Sequence, residues 1–321
     1  MATSGSFDYS VTASNIIVAA HEDLGVLASG ATIDSNDETA ALRTLNLLVK
    51  QWQGRSDKFP GLKIWTRQRL VLFFVAAQSR FLVGPASTDD RASANSLATT
   101  LGAAKAANAT AITVTSTAGM TAADVIGFVT DAGPLGWGTI STVDSAIGLT
   151  IAANTIGAAA SGKVVYTYTS KAQRFVDIEA AVLRDNSSAG QPIDTPIEVY
   201  TDVGQYESLP QKLAAGDPTA ILVEPQRLNT VVTMNFASSN TYRTLRLTVF
   251  YPAEDYDAVA NDVAFPQEYF ALLEWELARR IAPRFEVKWT ETMKENWTMA
   301  MQGAVNLNPE NSSLFFEPEK Y

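Results

Sequence analysis

Apolar positions in the opening fifty residues recur at helical spacing. From Thr12 the series Ile16, Ile17, Ala20, Leu24 and Leu27 marks one face, with Thr12 or Ser14 placed to cap the helix start. Gly25 weakens the last turn, and Ser29-Gly30 ends the helix. A second helix begins near Asn36-Asp37-Glu38, whose acidic residues suit a helix N-terminus. Its stripe is Leu42, Leu45, Leu48, Val49 and Trp52, and Gly54 stands where a terminating glycine belongs. The pair predicts a helical hairpin.

Beyond Trp65 the period changes from helix to strand. Arg69 to Val75 opens a β region, followed by strand patterns over Val176–Leu183, Thr195–Tyr200, Ala220–Val223, Thr230–Phe236 and Thr244–Phe250. The last alternates cleanly, with Leu245, Leu247 and Val249 on one face and Arg246 and Thr248 on the other. Within this region lies an island, Thr99–Thr169, rich in Ala, Thr and Gly and nearly free of charge. Five short strands are predicted there: 111–116, 125–130, 138–143, 149–151 and 163–168. Such composition also suits a disordered segment, but Val125-Ile126, Trp137, Tyr166 and Tyr168 supply a core.

Helical spacing returns at Phe265-Pro266, with Tyr269, Phe270, Leu273, Leu277 and Ile281 on one face and Pro283 as the stop. A last helix is expected from Glu286 to Gln302, carrying Trp289, Met293, Trp297, Ala300 and Met301. After Gly303 the periodicity ends, and an extended arm is expected. Neither helical end can bury its stripe alone. The predicted fold class is therefore α+β: a discontinuous four-helix domain built from both chain ends, with an inserted β-sandwich-like region that itself carries a small β insert. The corresponding boundaries are 1–66 and 259–303 for the helical domain, 67–98 and 170–258 for the β domain, 99–169 for the insert and 304–321 for the arm.

Composition narrows the function. Of 321 residues, 46% are hydrophobic and 18% charged, fewer charges than soluble domains usually carry, so part of the surface suits contact with other subunits. The net charge of −10 argues against a sequence-reading nucleic-acid binder. With no cysteine, disulfide, zinc-thiolate and cysteine-nucleophile chemistry are excluded. No apolar run approaches membrane-spanning length, the longest being Leu70–Ala77, and the opening residues lack the features of a signal peptide. The expectation is a protein made and kept inside the cell, with no membrane partner.

Candidate chemistry is sparse. His21 is the only histidine, so a multi-histidine metal site is impossible; it reads as an ordinary surface or interface residue. No serine sits in a Gly-x-Ser-x-Gly elbow, and Gly133, Gly136 and Gly138 lack the Gly-Lys-Ser/Thr of a phosphate loop. Carboxylate neighbours occur at Asp89/Asp90, Glu254/Asp255/Asp257 and Glu274/Glu276, the last two residues apart and so on different helix faces. Basic residues interleaved with aromatics, as in Arg67-Gln-Arg69 and Tyr242-Arg243-Thr-Leu-Arg246, reach phosphates in some proteins, but here they read better as a solvated strand face. No catalytic residue, cofactor or metal ligand is predicted.

The two ends together resemble the head-to-tail adaptor (tail accessory factor, or head completion) family of short-tailed bacteriophages. The resemblance lies in the opening helix, Leu24-Gly-Val-Leu, Thr44-Leu-Asn-Leu-Leu-Val-Lys-Gln-Trp52, and the run from Phe265 to Phe285 with its ending Leu277-Ala-x-x-Ile-Ala-Pro-x-Phe285. Phe73 to Gly84 and Pro192-Ile193 resemble the β region of the longer members, and the island matches only as the kind of insertion they carry. The resemblance implies a virion protein assembled in the bacterial cytoplasm, a dodecameric ring of identical copies. Such a ring binds the portal protein above and tail nozzle, tube or fibre proteins below, and double-stranded DNA passes through it. The arm residues Leu314, Phe315, Phe316 and Tyr321 are expected to anchor in the portal or an adjacent subunit. The competing readings are a virion-associated peptidoglycan-degrading enzyme and a surface- or carbohydrate-binding decoration protein using Trp137, Tyr166 and Tyr168.

Overall fold

The computed structural model describes residues 9–52, 66–75, 77–85, 91–133, 135–152, 156–187, 191–210, 212, 214–238, 240 and 242–306. They divide into two compact units, one from residues 1–66 with 252–321 and one from Arg67–Tyr251.

The first unit is helical. Helix α1 (Ala13–Asp23) starts at Thr12, whose hydroxyl accepts from the Asn15 backbone N–H while the Asn15 side chain accepts from the Thr12 N–H. It stops before Gly25, which takes φ +70°, so Leu27 lies beyond it. Helix α2 (Ser35–Trp52) buries Ala41, Leu45, Leu48, Val49 and Trp52. The segment after the β region returns to these helices through main-chain bonds: Ala13 N–H to the Asn261 carbonyl (2.9 Å), Ser14 N–H to Val259 (2.8 Å) and Val263 N–H to Val11 (2.9 Å). The Asn46 carboxamide bonds both the N–H and the carbonyl of Tyr256, at 2.9 and 2.8 Å.

A 3-10 turn at Gln267–Tyr269 leads into α4 (Phe270–Ile281), which follows the short helix α3 (Val203–Glu207) in chain order. Leu272, Leu273 and Leu277 on α4 are fully buried, each worth roughly 1.5–3 kcal/mol over an exposed position. A second 3-10 turn, Ala282–Phe285, ends with Glu286 in the left-handed region at φ 56°. That break displaces the last helix, α5, to Glu291–Asn306, leaving Trp289 ahead of it.

The second unit is β. Its larger sheet contains β1 (Arg67–Phe73), β2 (Arg80–Val83), β3 (Ala92–Ser93), β10 (Asp177–Asp185), β11 (Ile193–Tyr200), β12 (Ala220–Pro225), β13 (Thr230–Met234) and β14 (Arg243–Phe250). The order is β2-β13-β12-β11-β10-β14-β1-β3. All pairs are antiparallel except β11 with β12, which are parallel and joined through the short helix α3 (Val203–Glu207). Phe81 and Val83 at one end share a single core with Leu70, Leu72 and Ala92 at the other, so the sheet curls round its own interior.

The smaller sheet contains β4 (Leu97–Thr100), β5 (Ala111–Thr113), β6 (Val125–Val129), β7 (Leu135–Val143), β8 (Gly148–Ile151) and β9 (Val164–Tyr168), in the order β4-β9-β6-β7-β8-β5. Its own core holds Ile126, Phe128, Ile140, Leu149, Ile151 and Val165. The two sheets meet at Phe73, which is 1% exposed. Its ring lies 4.8 Å from Tyr166, 5.3 Å from Trp137 and 6.2 Å from Tyr168.

These observations correct the expected fold class. Among the described residues the chain is mainly β, with fourteen strands against five α-helices. The expected fold class fails on weight: α1, α2 and α5 pack on α4 in one core, α5 burying only Ala304, but among the described residues this helical part is outnumbered by fourteen strands. The β region is not a sandwich of two facing sheets, because eight strands form one continuous curled sheet. Strands β2, β3 and β4 and helix α3, each of five residues or fewer, are additions to the predicted elements.

The approach of β6 to β7 depends on Gly127. A Cβ there would lie 2.5 Å from Trp137, whose ring is wedged against Phe73 at 5.3 Å and Tyr168 at 5.8 Å. Gly127→Ala is therefore expected to cost about 1–3 kcal/mol, read from denaturant unfolding of the full chain. Unchanged stability would mean that Trp137 is not held in place.

Candidate functional site

The expected anchor residues Leu314, Phe315, Phe316 and Tyr321 lie outside the described residues, as does the Asp89/Asp90 pair. Of the other residues singled out, the structure brings some together and separates others.

His21 is not a surface residue. It is 3% exposed, its Nδ1 lies 2.7 Å from the Ile17 carbonyl, and its ring packs edge-on to Phe285 at 5.3 Å. Gly136 and Gly138 sit within β7, paired to β6, and form no phosphate cradle. Glu254, Asp255 and Asp257 are all exposed, with Asp255 ion-paired to Lys50. Tyr166 and Tyr168 are buried around Phe73, and Trp137 carries the Arg91 guanidinium 5.4 Å above its ring. None of these three rings offers a free stacking platform.

Glu274 and Glu276 do face different ways. Glu276 is 3% exposed and receives Arg279 at 2.6 and 2.9 Å, Arg280 at 3.0 Å and the Trp297 indole N–H at 2.7 Å. Burial alone would raise its pKa, but these donors outweigh it and hold the carboxyl below the usual range. The network ties α5 to α4 through the Trp297 indole.

Glu274 turns instead to Asp23 at the end of α1. Burial pushes the Glu274 carboxyl up to about 7, reinforced by the hydrogen bond and negative charge of Asp23 and by the charge of Glu22. Asp23 is raised too, mainly by burial, and its Oδ2 is buried without a partner. Two acceptor-only carboxylates cannot bond each other, so the contact requires a shared proton. This pair went unnoticed in the sequence because its members lie on helices from opposite chain ends. The one local signal was an acid at the C-terminal end of a helix, where the dipole disfavours it. An open cleft of about 450 Å³ in the same unit is lined by Tyr9, Ser10, Val263, Phe265, Pro266, Gln267, Glu268 and Phe270. It does not include the pair. Among the described residues no group of three or more His, Asp or Glu could hold a metal ion, and no helix is long and apolar enough to cross a membrane.

Of the interleaved basic residues, Arg67, Arg69 and Arg246 stand on the outer face of the larger sheet, whereas Arg243 is on the Leu245 side, ion-paired to Asp185 and Asp217. Register pairs Arg69 with Thr248, Arg246 with both Val71 and Val182, and Arg184 with both Thr244 and Asp194. Arg69, Arg246 and Arg184 thus run diagonally across β1, β14 and β10, on the side opposite Leu70, Leu245, Leu247 and Leu183. Diagonal neighbours stand roughly 7–8 Å apart. Arg184 is held by Asp194 in a two-bond fork at 2.5 and 2.6 Å, and Arg67 pairs with Glu179 at 2.8 Å. Among the described residues the Arg246 guanidinium has neither a hydrogen bond nor an ion pair. Burial lowers its pKa and so does the charge of Arg184, with Asp194 opposing and Arg69 adding to the effect.

No model of a known protein family matches the chain, and no curated protein matches it.

The carboxylate pair makes stability pH-dependent in a defined direction. A folded-state pKa near 7 against about 4.5 unfolded means the folded state holds its proton longer. Stability from this pair is complete below the ordinary carboxylate range and is lost as pH rises toward 7. Glu274→Gln mimics the protonated form. It should match the wild type near pH 4.5 and exceed it in urea midpoint at pH 8. A mutant-minus-wild-type difference that is constant across this range would refute the shared proton.

Proposed function

We propose that this protein is a structural component of a tailed bacteriophage, a head-to-tail adaptor that assembles with identical copies into a ring between portal and tail. It works without catalysis, in the virion, after assembly in the bacterial cytoplasm. The reading rests on the resemblance of both chain ends to that family.

The observation that carries it further is the uncovered helical unit. Leu47 on α2 is 60% exposed and Met299 on α5 is 62% exposed, and α5 buries a single residue of its own. Large apolar side chains left open on two helices of one unit fit contacts between copies. Ring closure uses such surfaces heterologously, one patch meeting a different patch on the neighbour. The overall acidic charge suits a channel through which DNA moves without adhering. In this reading the apolar arm residues Leu314, Phe315, Phe316 and Tyr321 dock on the portal or the next copy.

Native mass measurement tests the proposal, on the purified chain alone and with the portal protein of its phage. The expected product is a single multimer of this chain on the portal ring, with twelve copies as the family implies. A monomer under both conditions rejects the adaptor reading. Truncation after Asn306 should weaken loading onto the portal by tenfold or more, about 1.4 kcal/mol or above. Unchanged loading removes the arm from the interface while leaving the ring reading standing.

A further inference from the structure

We propose that the outer face of the larger sheet, at Arg69 and Arg246, is a binding site for a phosphate group. The inference does not depend on the adaptor reading.

The chain carries 34 acidic residues against 24 basic ones, so a face bearing three adjacent arginines runs against its overall charge. Diagonal neighbours on a sheet are within reach of side chains as long as arginine, so the three positive charges bear on one another. Asp194 opposes one, closing the Arg184 fork with both of its oxygens. The charge of Asp194 also acts on Arg246, but its hydrogen bonds go to Arg184. Arg246 is half-buried, which deprives its guanidinium of part of its water without supplying an acceptor. Arg69, exposed on the adjoining strand, has no acceptor among the described residues either. Thr248 stands opposite Arg69 and two residues from Arg246 on the same face, adding a hydroxyl donor.

The number of donors selects the ligand. Each guanidinium presents five N–H groups in a fixed fork, and a carboxylate has two oxygens. On this face Asp194 takes one hydrogen bond on each oxygen from Arg184, and among the described residues no acceptor bonds the side chain of Arg69 or Arg246. Two further guanidinium groups and a hydroxyl call for an acceptor with more oxygens and charge, which phosphate supplies. The phosphate can come from a free ion or from the backbone of a nucleic acid, and the chemistry at the site is the same.

Inorganic phosphate, titrated calorimetrically into the full chain at matched ionic strength against chloride, probes the first source. A labelled 20-base-pair duplex followed by anisotropy probes the second. Arg69→Gln, on an exposed side chain, and Arg246→Lys, which keeps the charge but loses the fork, are the variants, with Arg246→Gln added where thermal unfolding shows it folded. The wild type should bind, and Arg69→Gln should weaken binding about tenfold or more. Arg246→Lys should lose most of the same effect. Phosphate binding without duplex binding identifies a free-phosphate site. Binding of both identifies the nucleic-acid backbone, and the salt slope then falls by about one for each arginine removed. Equal titration of wild type and variants overturns the proposal. So does binding of a glutamate-rich peptide where phosphate fails, since the face would then take carboxylates from a protein partner.

Discussion

The helical unit depends on α4 being buried from several sides at once. Its leucines reach full burial only because α1, α2 and the displaced α5 all lie against it, and those helices come from the two ends of the chain. The main-chain bonds from residues 259–263 back to Val11, Ala13 and Ser14, with the Asn46 carboxamide on Tyr256, set the geometry in which α4 can do this. Ordering so much of the chain has a large entropy cost, and only apolar burial on the scale of α4 offsets it. Ionic contacts on α4 divide accordingly: Glu276 has every donor it needs, whereas Glu274 meets another carboxylate.

Much of this was legible in the residues. Thr12 as a cap, the buried Leu45, Leu48, Val49 and Trp52, and the clean alternation of β14 all follow from period and cap chemistry. The boundaries of α5 were not legible, because they turn on Glu286 entering the left-handed region, which a glutamate seldom does. The β share of the fold exceeds the expectation partly because strands as brief as Ala92–Ser93 and Leu97–Thr100 carry too few residues to show an alternating period.

The site residues divide in the same way. Arg69 and Arg246 stood out as basic positions in strand patterns, and alternation alone places each on the side away from its leucines. What could not be read was the strand order that sets β1 and β10 on either side of β14 and so brings Arg184 beside them. Pairing of distant strands is a tertiary fact with no local signature. The Asp23–Glu274 contact was hidden for that reason too, and His21 owes its burial to Phe285 from the far end of the chain.

The smaller sheet leaves and rejoins the chain through β4 and β9, which pair with each other from Leu97 opposite Thr167 to Thr100 opposite Val164. Its two points of attachment are therefore neighbours, so a plain hairpin could span the gap without rerouting any strand of the larger sheet. In evolutionary terms the module is a removable cassette. The toll for removal centres on Phe73, which would lose Tyr166, Trp137 and Tyr168 together, with Val71, Arg91, Asn186 and Tyr242 losing partners beside it. A related chain lacking the module is thus expected to carry a smaller or polar side chain at that position.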